Sequence, residues 1–145
     1  MNTNEISKHL YNDDLNEAIK YINNIKDEET LFVYANNYNW DNGFEIPEAI
    51  IENKYCSISV ALLLFDLADG ISFLKNKGEN SHLPDWSSFI KKLYAKVIKN
   101  EFASGKVRFS PELTKVQLYK LKKQLPENDQ IFITEIEGKD YYIAL

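Results

Sequence analysis

The feature that most constrains this chain is a segment whose apolar residues leave no polar face for water. Val60-Ala61-Leu62-Leu63-Leu64-Phe65 leads into Asp66-Leu67-Ala68-Asp69 and Gly70, and Ser57 or Ser59 stands before it as a helix cap. The run is far shorter than the roughly 20 residues that cross a membrane. A helix of this kind belongs at the centre of a helical protein. We therefore predict a helical domain built around this segment.

Helical spacing of apolar residues predicts further helices on both sides of the central one. Asp14 opens a capping box, and Asp27 begins another helix and lies in its first turn. Pro47 and Pro111 start two further helices, and Trp86 marks a long amphipathic one. A short first helix contains Ile6 and Leu10, and the helix from Pro111 ends before Pro126. Two loops separate these helices, a tight one at Asn39–Gly43 and a polar one at Ser72–His82.

The last 15 residues carry a strand pattern instead. Ile131–Ile136 and Tyr141–Leu145 flank Glu137-Gly138-Lys139-Asp140, which is typical of a β-hairpin. The predicted fold class is α+β and predominantly α: a compact multi-helix domain with a C-terminal β-hairpin. At 145 residues, we expect a single domain spanning 1–145.

Cysteine usage and the first residues bear on the compartment. Cys56 is the only cysteine, so no intramolecular disulfide can form. The N-terminus has neither the basic start nor the apolar stretch of a signal peptide. We expect a cytoplasmic protein with no membrane association.

The net charge of −5 is unevenly distributed. Residues 1–80 hold 14 acidic residues and six lysines, a net of −8, whereas residues 81–145 hold eight acidic and 11 basic residues, a net of +3. An acidic half repels phosphate backbones, which makes nucleic acid an unlikely ligand. It would attract a basic protein.

The segment from Tyr38 to Gly70 carries a resemblance to a known family. Tyr38-Asn39-Trp40-Asp41-Asn42-Gly43, followed by Pro47, Cys56 and the apolar run, resembles a bacterial family catalogued as domain of unknown function 4274. The signature of that family commonly reads Tyr-Asn-Trp-Asp-Asp-Gly, so Asn42 is a departure. The resemblance implies a small helical bacterial domain and no established activity.

Three carboxylates deserve comparison with a catalytic or metal site. Asp66 and Asp69 share a helical face and Asp41 lies in the tight loop, so together they could serve a metal-dependent reaction. No histidine or second cysteine stands ready to complete such a site. The competing interpretation makes Asp66 a structural anchor that accepts hydrogen bonds from backbone amides of the Trp40–Gly43 loop. We favour the anchor, and we expect no metal, no cofactor and no catalytic residue.

The sequence therefore favours a non-catalytic protein-interaction module. One specific version is an immunity or inhibitor protein that neutralises a basic toxin domain by charge and aromatic complementarity. Its candidate partner-binding residues surround the tight loop: Trp40, Asp41, Glu45, Glu48 and Glu52. The alternative is a small metal-dependent hydrolase that uses Asp41, Asp66 and Asp69.

Overall fold

A computed structural model describes residues 1–77 and 82–145. Within these ranges the chain is predominantly helical, as predicted. The α-helices are α1 (Thr3–Leu10), α2 (Leu15–Asn23), α3 (Glu28–Asn37), α4 (Glu45–Glu52), α5 (Ile58–Leu67), α6 (Gly70–Asn76), α7 (Pro84–Ile98) and α8 (Lys115–Gln124). Two 3-10 helices span Trp40–Asn42 and Glu127–Ile133.

Helix α5 is the centre of the structure, which confirms the first prediction. Its residues from Ser59 to Phe65 are all buried. Helices α3, α6 and α7 and the second 3-10 helix pack around it, while α1 and α2 cover the far sides of α3 and α4. The buried hydroxyl of Ser59 donates to the carbonyl of Val107 at 2.6 Å, so this polar group is satisfied inside the core.

Side-chain caps define where several helices begin. Asp14 accepts a hydrogen bond from the amide of Glu17, as predicted. Asp27, expected in the first turn of α3, instead caps it by accepting a hydrogen bond from the amide of Thr30. Helix α8 begins later than Pro111 suggested. Thr114 caps it in a reciprocal capping box with Gln117.

The predicted loop at Ser72–His82 is partly wrong. Residues Gly70–Asn76 form α6, because Phe73 and Leu74 bury their side chains against the core. A left-handed Asp69, with φ of 60°, separates α6 from α5. Residues 78–81 of that predicted loop lie outside the described residues.

The predicted C-terminal β-hairpin is wrong. Ile131–Ile133 belong to a 3-10 helix, in which the adjacent side chains of Phe132 and Ile133 are both buried. A strand would send these two neighbours to opposite faces, whereas a helical turn can bury both. In the described residues the later segments form only isolated bridges, and these are made with residues 107 and 109.

Residues 106–109 thus take the place of the missing strand partner. Phe109 and Ile136 exchange backbone hydrogen bonds of 3.0 and 2.9 Å, and Lys139 bonds to both Lys106 and Arg108 at 2.9 Å. A Cβ atom on Gly138 would lie 2.5 Å from the carbonyl oxygen of Lys106. Glycine at 138 therefore allows two backbones to approach, rather than forming the turn of a hairpin.

The last residues are held against α3 by the side-chain amide of Asn37 and by the Tyr142 ring, which packs edge-on against Phe32. Asn37 Nδ2 donates to the carbonyl of Ile143 at 2.7 Å, and Asn37 Oδ1 accepts from the amide of Leu145 at 3.0 Å. Tyr142 Oη accepts from the amide of Ser110 at 3.0 Å. Asn37 and Tyr142 thus provide hydrogen bonds to backbone groups that no strand pairs in the described residues.

Candidate functional site

The tight loop is built by its own hydrogen bonds. Asn39 Oδ1 accepts from the amide of Asp41 at 3.1 Å and caps the 3-10 helix Trp40–Asn42. Tyr38 Oη donates to the carbonyl of Gly43 at 2.7 Å. Gly43 has a φ of 93°, a backbone conformation that residues with a side chain rarely adopt. The loop is as compact as its Asn, Asp and Gly content predicted.

This geometry holds Trp40 in an aromatic cluster. The indole is half-buried, with its ring centroid 5.4 Å from Tyr38, 6.0 Å from Phe44 and 6.1 Å from Phe89. Among the residues that the structure describes, Trp40 Nε1 is buried without a hydrogen-bond partner. Trp40 is therefore both a packing residue and part of the surface.

A cleft of about 410 Å³ opens beside Trp40, between the α5–α6 corner and the start of α7. Trp86 Nε1 donates to the carbonyl of Ala68 at 2.6 Å and fixes the opposite wall. We call this feature the tryptophan cleft. Its walls are mostly apolar: Trp40, Phe44, Leu67, Ala68, Phe73 and Trp86, together with the polar Asp69 and Ser72.

A second depression adjoins the first, because Phe44 lines both. Its carboxylates are those of Glu45, Glu48 and Asp85, which we call the acidic notch. In the part of the chain that the structure describes, none of the three lies within 4.0 Å of a cationic group. The notch is a negative patch beside an aromatic surface, and its carboxylates lie in the first turns of α4 and α7.

The comparison with protein families decides the classification. The family model described as Domain of unknown function (DUF4274) matches residues 26–98, which is half of the chain. The chain belongs to this family. The match confirms the resemblance noted in the sequence, and no curated protein and no solved structure matches the chain. Every residue that lines the tryptophan cleft or the acidic notch lies inside the DUF4274 match.

Two acidic residues outside the notch of this DUF4274 protein, Glu52 and Glu28, interact with other groups of the fold. Glu52 pairs with Lys92 at 3.0 Å and lies 4.0 Å from Lys96, and the hydrogen bond from Lys92 lowers the pKa of Glu52. Glu28 accepts hydrogen bonds from the amides of Lys106 and Val107 at 3.0 and 3.3 Å. Of the predicted partner-binding residues, Glu45 and Glu48 keep free carboxylates in the notch, whereas Glu52 is neutralised.

Asp66 is not the anchor of the tight loop. Its Oδ2 accepts from the amide of Glu112 at 3.2 Å, and burial raises the pKa of this carboxyl. It lines a separate cavity of about 450 Å³ with Asn36, Arg108 and Tyr142. The amides of Asp41, Asn42 and Gly43 are hydrogen-bonded within the loop, so Asp66 accepts none of these bonds.

The three carboxylates considered for catalysis do not line one site. Asp41 is exposed, Asp66 lines the cavity near Arg108, and Asp69 lines the tryptophan cleft while accepting from Ser72 Oγ at 2.9 Å. Among residues 1–77 and 82–145, no group of three His, Cys, Asp or Glu side chains could hold a metal ion. In the same ranges, no helix has the length and apolar character to cross a membrane.

Several residues of this surface were not predicted to belong to it, among them Phe44, Asp85 and Trp86. The sequence assigned Trp86 only to the amphipathic helix that forms α7. Nothing in the sequence places it opposite Trp40, because the two are 46 positions apart. The signal that was present is compositional, since the chain has only two tryptophans and both line one cleft.

Proposed function

We propose that this protein is a non-catalytic interaction module that binds a basic protein in the cytoplasm. The supporting observation is the acidic notch beside Trp40 and Phe44. Glu45, Glu48 and Asp85 gather there, whereas Glu28 accepts hydrogen bonds from backbone amides and Glu52 forms a surface ion pair with Lys92.

The three carboxylates of the notch repel one another, and the N-termini of α4 and α7 hold them in place because a helix dipole favours an anion in the first turn. In the described structure none of the three forms an ion pair within 4.0 Å. A basic partner would remove the repulsion on binding. Such a patch also speeds association with a positively charged protein, because the attraction acts before contact.

The specific version of the proposal is an immunity or inhibitor protein that neutralises a basic toxin domain. An acidic chain with an aromatic anchor at the edge of its charged patch suits that task. The ring would lose its water at the centre of the interface, and the charges would form the rim. The catalytic alternative at Asp41, Asp66 and Asp69 gains no supporting observation from the geometry.

The test is a search of the neighbouring genes for a toxin with a basic domain, followed by co-expression of that domain with this protein. We expect the protein to restore growth of the host and to purify with the toxin domain as a stable complex. A toxin domain that remains fully toxic and unbound would contradict the proposal.

Charge-reversal variants test the binding surface. Glu45→Lys combined with Glu48→Lys should slow association about tenfold and change dissociation little. The matched control, Asp13→Lys with Glu137→Lys, alters the net charge equally at exposed positions that do not line the cleft or the notch. Stopped-flow association at two salt concentrations measures both pairs. Equal slowing by the two pairs would show that overall charge, rather than the notch, governs binding.

A further inference from the structure

We infer that the tryptophan cleft receives one large apolar side chain of the partner, and that lysine or arginine flanks this side chain in the partner's sequence. This inference rests on the proposed function and adds the recognition element of the partner. It follows from three properties of the cleft: its size and walls, its pre-formed shape and the charges beside it.

The size and walls of the cleft suit an apolar side chain. Its volume of about 410 Å³ lies within the roughly 300–1,000 Å³ that ligand pockets occupy. Trp40 and Trp86 provide flat faces, and Leu67 and Phe73 add further apolar surface. When an apolar group enters the cleft, its surface and the apolar walls are both removed from water. This burial of apolar surface is the main favourable term in most protein association.

The walls are already in place in the free protein. Trp86 is held by its hydrogen bond to Ala68, and Trp40 is held by the rings of Tyr38, Phe44 and Phe89. A pre-formed cleft loses little side-chain entropy when it is filled. Binding can therefore be measurable even for a small part of the partner.

The charges beside the cleft select the residues next to the apolar side chain. Asp69 is exposed on one wall, and the acidic notch continues from Phe44 on the other. None of the residues described as lining the cleft is Lys or Arg. A segment with a cation on each side of its apolar residue can satisfy both acidic positions, whereas an acidic segment would be repelled. The shared Phe44 makes the two depressions one continuous surface, which favours a peptide segment over a small molecule.

The two tryptophans offer a direct readout of binding. Because the chain has only two, its indole N–H groups give two NMR signals, which Trp86→Phe assigns. Trp86 Nε1 is bonded to a carbonyl and Trp40 Nε1 has no partner in the described residues, so the two signals should be well separated. Both rings line the cleft, so its occupation should shift both signals.

The probes are three blocked tripeptides: acetyl-Lys-Phe-Lys-amide, acetyl-Lys-Ala-Lys-amide and acetyl-Glu-Phe-Glu-amide. We expect Lys-Phe-Lys to shift both indole signals to saturation and the other two to bind at least tenfold more weakly. Lys-Ala-Lys tests the apolar pocket, and Glu-Phe-Glu tests the charge. No saturable shift with Lys-Phe-Lys, or equal affinity for either of the other peptides, would overturn the inference.

Ser72→Arg places a cation in the cleft and should weaken Lys-Phe-Lys binding at least fivefold. Ser104→Arg, at an exposed position outside the cleft and the notch, should leave it unchanged. Dispersion of the amide signals shows whether each variant is folded. If the toxin domain binds wild type and Ser72→Arg equally well, the inference fails while the proposed function stands. If Lys-Phe-Lys binds as expected and no toxin domain does, the proposed function fails instead.

Discussion

The buried carboxylate of Asp129 is stabilised by a hydrogen bond and an ion pair with its neighbours. Its side chain is only 1% exposed, in the second 3-10 helix. It accepts a hydrogen bond of 2.6 Å from Tyr94 Oη and forms an ion pair with Lys77, whose Nζ also donates to Tyr94 Oη. The group ties three elements together: the end of α6, the middle of α7 and the 3-10 helix.

Asp129→Ala should therefore be destabilising. It removes the acceptor of the hydrogen bonds from Tyr94 and Lys77, and because the Lys77 side chain is 41% exposed its charge can be hydrated. We expect the free energy of unfolding to fall by about 2 kcal/mol. Asp129→Asn keeps an acceptor for Tyr94 and should lose less. Urea unfolding followed by circular dichroism measures both. An Asp129→Ala protein as stable as wild type would show that the group contributes nothing.

Asp66 leads to the opposite expectation, because its environment disfavours the charged form. Burial raises its pKa, outweighing the hydrogen bond from the Glu112 amide that lowers it. Between the ordinary pKa of 3.8 and the raised one, the folded protein binds more protons than the unfolded chain. Stability contributed by Asp66 is thus lost as pH rises through that window.

Asp66→Asn should consequently match or exceed wild type at pH 7, by up to about 1 kcal/mol. The amide oxygen still accepts from Glu112, and no charge has to be buried. The difference should shrink as pH falls below 4, where the native carboxyl is protonated as well. Urea midpoints from pH 3.5 to 7 test this, with Asp13→Asn as the control for removing one exposed charge. A large loss of stability at pH 7 would mean that the carboxylate itself is needed.

At the scale of elements, α8 depends more on its cap than on its packing. Leu121 is its only buried residue in the described structure. The capping box between Thr114 and Gln117 satisfies amides that the helix itself cannot.

Thr114→Ala should lower stability by about 1 kcal/mol and speed amide hydrogen exchange within α8. Thr114→Ser retains the hydroxyl and serves as the matched control. Hydrogen exchange resolved by residue shows whether the effect stays within α8. Unchanged exchange there would indicate that the box does not hold the helix end.

The elements that the sequence predicted correctly are those specified by neighbouring residues. Asp14 and Asp27 cap their helices through amides three positions ahead, and the Asn39–Gly43 turn closes on itself. The hairpin failed because its backbone partners, residues 106–109, lie more than 25 positions from Ile136 in the chain. Periodicity within a segment carries no information about such a distant competitor.

The residues of the candidate site divide in the same way, into those that a local pattern identified and those that only the fold brings together. Trp40, Glu45 and Glu48 were identified because they flank one recognisable loop. The contribution of Trp86 and Asp85 arises only when α7 packs beside that loop, and the pairing of Glu52 with Lys92 needs the same packing. These are effects of tertiary contact, so they become visible only with the fold.

At the scale of the whole molecule, the hydrophobic core extends beyond the residues that match the family model. Ile6, Ile22, Phe109 and Phe132 are each at most 1% exposed, and all lie outside the matched residues 26–98. Removing them would uncover α3 and α5 on several sides. The matched segment therefore contains the tryptophan cleft and the acidic notch but lacks several of the core residues that pack beneath its helices.

We predict that a fragment of residues 26–98 does not fold alone, whereas the 145-residue chain unfolds in one cooperative step. Large apolar surfaces left uncovered cost roughly 25 cal/mol per Å². Calorimetry of the two chains is the measurement. A cooperative transition in the fragment would show that the family segment is an independent domain.

Cys56, the only cysteine, lies buried just before α5 and can report on the opening of the core there. It is 4% exposed, and burial raises the pKa of its thiol, so little reactive thiolate is present at neutral pH. A thiol reagent can reach it only when this part of the core opens, and the labelling rate then reports that opening without any mutation. A cysteine introduced at an exposed rim of the cleft would react while Cys56 stays silent. Fluorophores or spin labels can therefore be attached selectively to the otherwise unaltered protein.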